Sequence, residues 1–570
     1  MTDNRPYIVQ YHEAIERGYI DIDGKQVLLV VGEKIRKVVD RLMTYFDNPD
    51  IVFNPKKCYK KFDFEENYCL QGKAPFYNKP LKLMLWQKAF FEAIYSFYDK
   101  HTGLLLINEA LLEVARKNGK STMIAGDANA DLFIGEGGVD ICCCSNDDKQ
   151  AQLIWKEVAG MRHRLDINDE ITSNNIVDIK NNAKDINIFR MSAKTEKKDG
   201  RNIKKAYQDE AHDCKDGENA EAVRSSTSTH DARLFITIST NGFLNGMYFD
   251  KCLDYANKWL EGEIDNIHYL PFLYEQDDES EVWSSDRDLW QKANPSLIYG
   301  VKKWSFIEDN ILKAQIDKES RLHMLVKDFD LKQTNSKSWL LLEQYDYPQE
   351  PFTLEDFRGK ICLGSVDLSD CGDLTVAEAL FMKPNDDTKY IVPQFFIPES
   401  KLEDKDNGAN YKEWANTINP VTKLPYVTVI KGNKVKQEEV AKWFQRLRDV
   451  YQIETMMIGF DPWHSDVFVY NCDRKTGYGF DIMKIYQNSK LMSYPMKTLE
   501  RDLNAKLVNY ANNPIIKYCF SNTSAKIVND VIMPEKIDGN YSRKIDGVVE
   551  MIILYANLEK KEMTFMEYVR

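Results

Sequence analysis

From about residue 80 to 245, short apolar runs alternate with stretches of helical periodicity, which predicts an α/β sheet. "LLLIN" (104–108) and "LLEV" (111–114) read as strand, and 119–134 as helix. "VDICCCS" (139–145) reads as strand, 147–164 as amphipathic helix, and "RLFITIST" (Arg233–Thr240) as a further strand. Residues 1–50, with "GEKIRKVVDRLMTYF", read as a mostly helical N-terminal segment. Residues 250–335 read as mainly helical with a break at Asn294-Pro295. The segment Leu331–Pro351 is polar, then aromatic, then proline-bearing, and reads as a linker. A second α/β pattern starts near Lys360: strands "KICLGSVDLS", "LTVAEALFM" and "YIVPQFFIP", a helix over 436–451, then the strand "TMMIGFDP". The predicted division is a helical segment 1–50, an α/β domain 51–335, a linker 336–350 and a second α/β domain 351–570.

Composition narrows this picture. A chain of 570 residues exceeds one core, and 43% hydrophobic residues can fill two. No apolar run has membrane-spanning length. The start "MTDNRPYIVQ" lacks the basic-then-apolar order of a signal peptide. The cysteine triplet Cys142–Cys144 lies inside an apolar run and no CxxC pair occurs, so a buried strand in a reducing cytoplasm is expected rather than disulfides or structural zinc. A net charge of −13 argues against a permanent nucleic-acid coat protein but allows a local basic groove. The basic stretch "SAKTEKKDGRNIKK" (Ser192–Lys205) reads either as a solvated loop or as a DNA or subunit contact.

Candidate chemistry gathers at two places. "VARKNGKST" (Val114–Thr122) follows strand-like runs and precedes a helix. Amides at such a helix N-terminus bind phosphate. Lys120 could then reach β and γ oxygens, and Ser121 could ligate Mg²⁺. Val114 stands where the full phosphate-loop pattern has its first glycine, and Arg116 and Lys117 add positive charge, so a basic turn capping a helix reads equally well from this stretch alone. Asp209-Glu210 is the Asp-Glu pair that most closely precedes "RLFITIST", the position for an acid that holds Mg²⁺ and one that activates water. Its run-in, "NIKKAYQ", is more polar than a buried central strand. Thr240, at the end of "RLFITIST", stands where a γ-phosphate sensor would. Gln87 in "LMLWQKAFF" could read adenine through its amide.

In the later region, Asp367 ends "ICLGSVD", Asp461 ends "MMIGFD", and Asp546 opens the apolar helix "DGVVEMIILYANL". Acids at adjacent strand ends plus one at a helix start can meet around two Mg²⁺ or Mn²⁺ ions that clamp a phosphodiester. Asp373 in "CGDLT" is close enough in sequence to assist. The competing reading makes Asp461 a turn residue and Asp546 an N-cap.

In this order, the parts resemble the large subunit of a tailed-bacteriophage terminase over roughly residues 5–565. That family's phosphate loop often lacks the first glycine and carries an arginine, as "VARKNGKST" does. "LMLWQKAFF", "QDEAH", "ISTNG" and "KANPSL" match its ATPase motifs in sequence order, and "SVDLSDCGDLT", "IGFDP" and "KIDGVVEMI" its three acidic nuclease motifs. The resemblance implies an α/β chain with a P-loop NTPase domain followed by a ribonuclease H-like nuclease domain. It implies that Gln87, Gly119, Lys120, Ser121, Thr122, Asp209 and Thr240 bind ATP and Mg²⁺. Glu210 would orient water and Arg116 would stabilise γ-phosphate charge, while Asp367, Asp461 and Asp546 would hold cutting metals. The implied activity is ATP-driven translocation of viral double-stranded DNA into a procapsid, with endonucleolytic cutting of concatemers. The implied partners are DNA, a portal ring, a small terminase subunit and, when packaging, further copies in a ring, with a monomer in solution; no membrane is implied. The implied place is the host cytoplasm, docked at the procapsid portal and absent from the mature virion. Two rivals stand beside it: a P-loop helicase or remodelling ATPase with a non-cleaving C-terminal half, and a catalytically degenerate assembly scaffold.

Overall fold

A computed structural model describes residues 5–175, 178–192, 202–214, 217–243, 248–333, 337–368, 373–404, 409–463, 465–528, 531–537, 540 and 542–569. Most of the basic stretch 192–205 therefore lies outside the described residues. The described residues divide into two compact units, one up to residue 333 and one from 337 onward.

The first unit is built on an eight-stranded sheet. Two small antiparallel pairs precede or flank it: β1 (Tyr19–Ile22) with β2 (Lys25–Leu28), and β3 (Ile51–Phe53) with β4 (Phe97–Asp99). The sheet strands are β5 (Glu109–Val114), β6 (Val139–Ser145), β7 (Thr172–Asn174), β8 (Asp178–Asn181), β9 (Ile186–Ser192), β10 (Ile203–Asp209), β11 (Leu234–Ser239) and β12 (Tyr269–Tyr274). Their order is β12-β5-β11-β10-β6-β9-β8-β7. The pairings from β12 to β9 are parallel, and β8 and β7 add an antiparallel tail. Parallel strands covered on both faces are apolar throughout, which is why "VDICCCS" and "LFITIS" carry no alternation. The cysteines of the triplet are buried and form no disulfide among the described residues.

Two sequence expectations change here. "LLLIN" contributes only a single bridge, Leu105 to Tyr98, and the strand begins at Glu109. Residues 250–335 are mainly helical, as expected, but they also contain β12, "YLPFLY", every residue of which is buried. Pro271 is tolerated there because β12 lies at the sheet edge, where a missing N–H costs no ladder bond on the open side. Helices α1 (Tyr7–Arg17) and α2 (Glu33–Asp47) bury Ile8, Ile35, Val38 and Leu42 in the same core as β5 and β11.

The polar strand β10 has a specific explanation. It sits between β11 and β6, yet it buries Lys205. Lys205 Nζ lies 2.5 Å from Asp127 and 2.7 Å from Asp131, both on helix α5 (Lys120–Ile134). Lys61, on helix α3 (Lys56–Tyr68), pairs with the same two carboxylates at 2.5 and 2.7 Å. Tyr207 of β10 and Tyr95 of helix α4 (Leu85–Ser96) each place a hydroxyl 2.7 Å from Asp127. Lys204 points the other way, to Glu136 at the surface.

Burial works to raise the Asp127 acid, but Lys205 and Lys61 outweigh it and hold it below the usual carboxylate range. A depressed acid stabilises the fold above its unfolded pKa, about 3.9, and that contribution is lost as pH falls through the depressed value. Asp127→Asn is therefore expected to cost the first unit about 3 kcal/mol at neutral pH, the range for breaking a buried pair. It should also flatten the acid limb of a urea-midpoint-against-pH curve. An unchanged midpoint at pH 7 would contradict this.

The second unit centres on a mixed sheet of β13 (Ile361–Asp367), β14 (Thr375–Lys383), β15 (Asp386–Pro398), β16 (Val427–Ile430), β17 (Glu454–Phe460) and β18 (Ile482–Lys484), in the order β16-β15-β14-β13-β17-β18; β19 (Val508–Asn509) also pairs with β15. β13, β14 and β15 form an antiparallel meander, and β17 runs parallel to β13. The segment read as a linker places Trp339, Leu340, Tyr345 and Tyr347 in this unit's core. The helix Asp546–Val569 packs on β13, β14 and β17. Asn557 fixes it by donating to Gly364 O (2.9 Å) and Met457 O (3.1 Å). Gly547 packs closely: a Cβ there would lie 2.8 Å from Ile516 Cδ1 and 3.0 Å from Phe395 Cζ, so those side chains would have to shift to admit one.

Candidate functional site

In a parallel sheet, ligands gather outside the carboxyl ends of the strands. β5, β11 and β10 are neighbours, so their carboxyl ends bring together the loop Ala115–Gly119, Thr240 and Asp209. Gly119 caps α5 with φ +91°, a left-handed conformation that glycine adopts without strain. A cleft of about 1760 Å³ is lined by Gln87, Arg116, Gly119, Lys120, Ser121, Thr122 and Glu210. Lys73, Lys79, Lys82, Lys88 and Lys117 add positive charge to its walls, although the chain as a whole is acidic. Asp209 and Thr240 do not line the cleft; both are buried behind it.

Lys120 Nζ is turned back onto the carbonyl oxygens of Val114 and Ala115. Burial lowers its pKa, against the pull of Asp330, Glu210 and Asp209. Burial, then the adjacent Glu210, pushes the Asp209 acid up to about 7, against the pull of Lys120. For Glu210 burial acts the same way, but His212, Lys120 and Lys327 outweigh it and hold the acid at about 2. His212 Nδ1 lies 3.2 Å from Glu210 Oε2 and 3.1 Å from Ser239 Oγ. Two adjacent carboxylates thus differ in proton affinity. Thr240 Oγ1 is buried without a hydrogen-bond partner among the described residues. Gln87 Oε1 accepts the Met84 N–H at 3.0 Å, and a Cβ on Gly119 would lie 3.4 Å from its Nε2. Arg116 is exposed.

The sequence reading missed the brace behind the loop. Asn118 donates to Ala115 O (3.0 Å) and Asn294 Oδ1 (3.0 Å), and it accepts the Ser296 N–H (3.1 Å). Lys302 reaches Asn294 (2.7 Å) and Asp328 (2.9 Å). "KANPSL" carried a signal as a motif, but its partner is 176 residues away.

In the second unit, Val366 of β13 pairs with Phe460 of β17, so Asp367 and Asp461 emerge side by side at one sheet end. These two acids, Asp546 and Asp373 line one cleft of about 470 Å³, with Lys536 and Trp463. Asp461 Oδ1 accepts the Trp463 N–H (2.9 Å), and Asp546 Oδ2 the Leu374 N–H (3.3 Å). Asp373 differs from the other three: Lys536 (2.7 Å) and Lys544 (3.0 Å) pair with it. Burial, followed by Asp546, Asp461 and Asp373, raises the Asp367 acid well above the usual range. Burial and Asp373 push Asp546 up to about 7. Among the described residues, no three His, Cys, Asp or Glu side chains stand close enough to share one ion. Two acids that the sequence did not single out are buried nearby: Glu378, opposite Ser365 across β13 and β14, and Glu550, one turn beyond Asp546. The Glu378 carboxylate oxygens have no hydrogen-bond partner among the described residues, and Ser365 faces Glu550.

Comparison with known proteins decides the family. The model of the terminase large subunit ATPase domain matches residues 85–258, and that of the terminase large subunit endonuclease domain matches residues 263–562, more than half the chain. The chain belongs to the terminase large subunits. It is an ATPase and an endonuclease of a phage DNA-packaging motor. It is 23% identical to the large terminase subunit of Enterobacteria phage HK97 over 86% of this chain and 93% of that one. It is 24% identical to protein YmfN of Escherichia coli K12 over 59% and 73%. The crystal structure of the HK97 large terminase aligns over 87% of this chain and 99% of that one, at 20% identity and a TM-score of 0.45. The endonuclease match begins at residue 263, ahead of β12, which hydrogen-bonds into the terminase's first sheet.

The raised acids of the terminase's second unit make a signed prediction. A carboxyl whose folded pKa is raised holds its proton longer folded than unfolded, so stability falls as pH rises from about 3.9 toward 7. Asp546→Asn should remove part of that fall and raise the second unit's melting temperature at pH 7.5 without divalent ions. Calorimetry at pH 5 and pH 7.5 checks it, and a lower melting temperature at pH 7.5 would contradict it.

Proposed function

We propose that this terminase subunit hydrolyses ATP at the carboxyl ends of β5, β11 and β10 to drive double-stranded DNA through a portal ring into a procapsid. We further propose that it cuts concatemeric DNA at Asp367, Asp461 and Asp546. The observation that supports the first part most strongly is the basic cleft that joins Gly119, Lys120 and Ser121 to Glu210 within an acidic protein. In this reading Lys120 exchanges the carbonyls of Val114 and Ala115 for phosphate oxygens. Ser121 and Asp209 fit a divalent cation such as Mg²⁺, since Asp209 is a buried acid whose charge needs a cation beside it. Glu210, kept ionised, orients the attacking water and takes its proton. Arg116, free to reach into the cleft, faces γ-phosphate charge, Thr240 senses hydrolysis, and Gln87 reads adenine.

At the nuclease cleft, three acids repel one another and lack the lysine partners that Asp373 has. Such a donor set fits hard divalent cations, Mg²⁺ or Mn²⁺, whose chemistry there is to neutralise phosphate charge and acidify water. Lys536, which lines the cleft and pairs with Asp373, supplies positive charge toward a DNA backbone. A small terminase subunit, the portal and further copies of this chain are the partners in this reading, with docking at the procapsid in the host cytoplasm.

Lys120→Ala should abolish ATP hydrolysis in a folded chain. Glu210→Gln should bind nucleotide normally yet turn over at least 100-fold more slowly, a loss within the range for general acid–base catalysis. Wild-type turnover in either variant would remove that residue from the site. Separately, Asp461→Asn should lose most Mn²⁺-dependent plasmid cleavage while the full chain's ATP hydrolysis stays within twofold of the parent. Cleavage equal to the parent's would refute the nuclease assignment.

A further inference from the structure

The last carbonyls of a helix have no partners inside it. At the end of the helix Lys318–Asp328, four consecutive carbonyls are each taken by a different part of the nucleotide cleft's surroundings. Lys327 O accepts the Arg116 N–H of the phosphate loop at 3.1 Å. Asp328 O accepts Asn294 Nδ2 at 2.7 Å. Phe329 O accepts the Gln276 N–H, just past β12, at 3.1 Å. Asp330 O accepts Asn241 Nδ2 at 2.8 Å. The Asp330 carboxylate adds a second bond to the same residue, accepting the Asn241 N–H at 2.9 Å, and Lys327 Nζ closes the ring on Asn241 O at 2.8 Å. Asn241 follows Thr240 directly.

We propose that Asp330 is a positioning residue for ATP hydrolysis: its carboxylate locks the Thr240–Asn241 turn onto the post formed by residues 327–330, which also holds the phosphate loop. This rests on the ATPase reading above. The identity of the residue is informative. Asp330 has φ +51°, is 1% exposed, and its Oδ2 has no hydrogen-bond partner among the described residues. Asparagine would suit that backbone equally well and could accept the same N–H without burying a charge. The charge is what asparagine lacks: burial pushes the Asp330 acid up to about 7 against the pull of Lys120, Lys327 and Lys302, so its charged form depends on the cations it faces. It holds Lys327 on Asn241 O and balances Lys120 in the nucleotide-free cleft.

The test is ATP turnover by the full chain carrying Asp330→Asn, Asn241→Ala or both, with Lys120→Ala as the inactive control. Asp330→Asn removes a buried charge, so its melting temperature should equal or exceed the parent's. Its kcat should fall at least tenfold, with KM for ATP within threefold. Asn241→Ala keeps the charge and removes one donor, and its kcat should also fall. Because both act through one lock, the double variant should be no more than twofold slower than the slower single variant. Parent-like kcat in Asp330→Asn, or losses that multiply in the double variant, would overturn the proposal while leaving the ATPase reading intact. A parent chain that turns over no faster than Lys120→Ala would overturn both.

Discussion

The buried ion cluster around Asp127 is the contact on which the ATPase unit depends. Removing charge from water is costly, and a buried pair persists only where its geometry is good and its remaining valences are met. Here Asp127 and Asp131 on α5 face Lys205 on β10 and Lys61 on α3, with Tyr95 of α4 closing the ring. The elements so joined carry the site: α4 bears Gln87, α5 begins at Lys120, and β10 ends at Asp209. The directional, desolvated contacts fix the register of helix against strand. An apolar interface of the same area would tolerate sliding. Lys120 and Asp209 are thereby held facing each other at one end of a braced frame.

The nuclease unit uses burial in the opposite sense. Asp367 and Asp546 are pushed toward their neutral forms because burial and their acidic neighbours outweigh Lys536, while Asp373 is paired with two lysines. Parallel β13 and β17 present two acids at one end, and the third opens the helix packed beside them. Such a group of acids is destabilised by its own charge, which fits the proposed role in chemistry better than a role in stability.

Much of this was legible in the sequence because it depends on local order. The phosphate loop, the apolar strands and the three aspartates each announce themselves within about ten residues. What stayed hidden depends on distant partners. Lys204-Lys205 argued against a buried strand, because the acids that accept Lys205 lie on a helix nearly 80 residues earlier. β12 was hidden by Pro271, which sits in a sheet only because the strand is at its edge. Asp330 carries no motif; its importance comes from where a helix happens to end. Glu378 and Glu550 looked like ordinary strand and helix residues until their burial was known.

The most direct test of the claim that the ion cluster sets the ATPase geometry is the kcat for ATP of Lys205→Met, measured below its melting temperature with circular dichroism confirming the fold. Lys205 lies outside the nucleotide cleft, so its loss acts through the placement of α4, α5 and β10. A displacement of about 1 Å at a reacting centre can cost about 100-fold in rate. The account predicts a kcat reduced at least tenfold in a folded chain. A folded Lys205→Met chain that turns over ATP at the parent rate would contradict it.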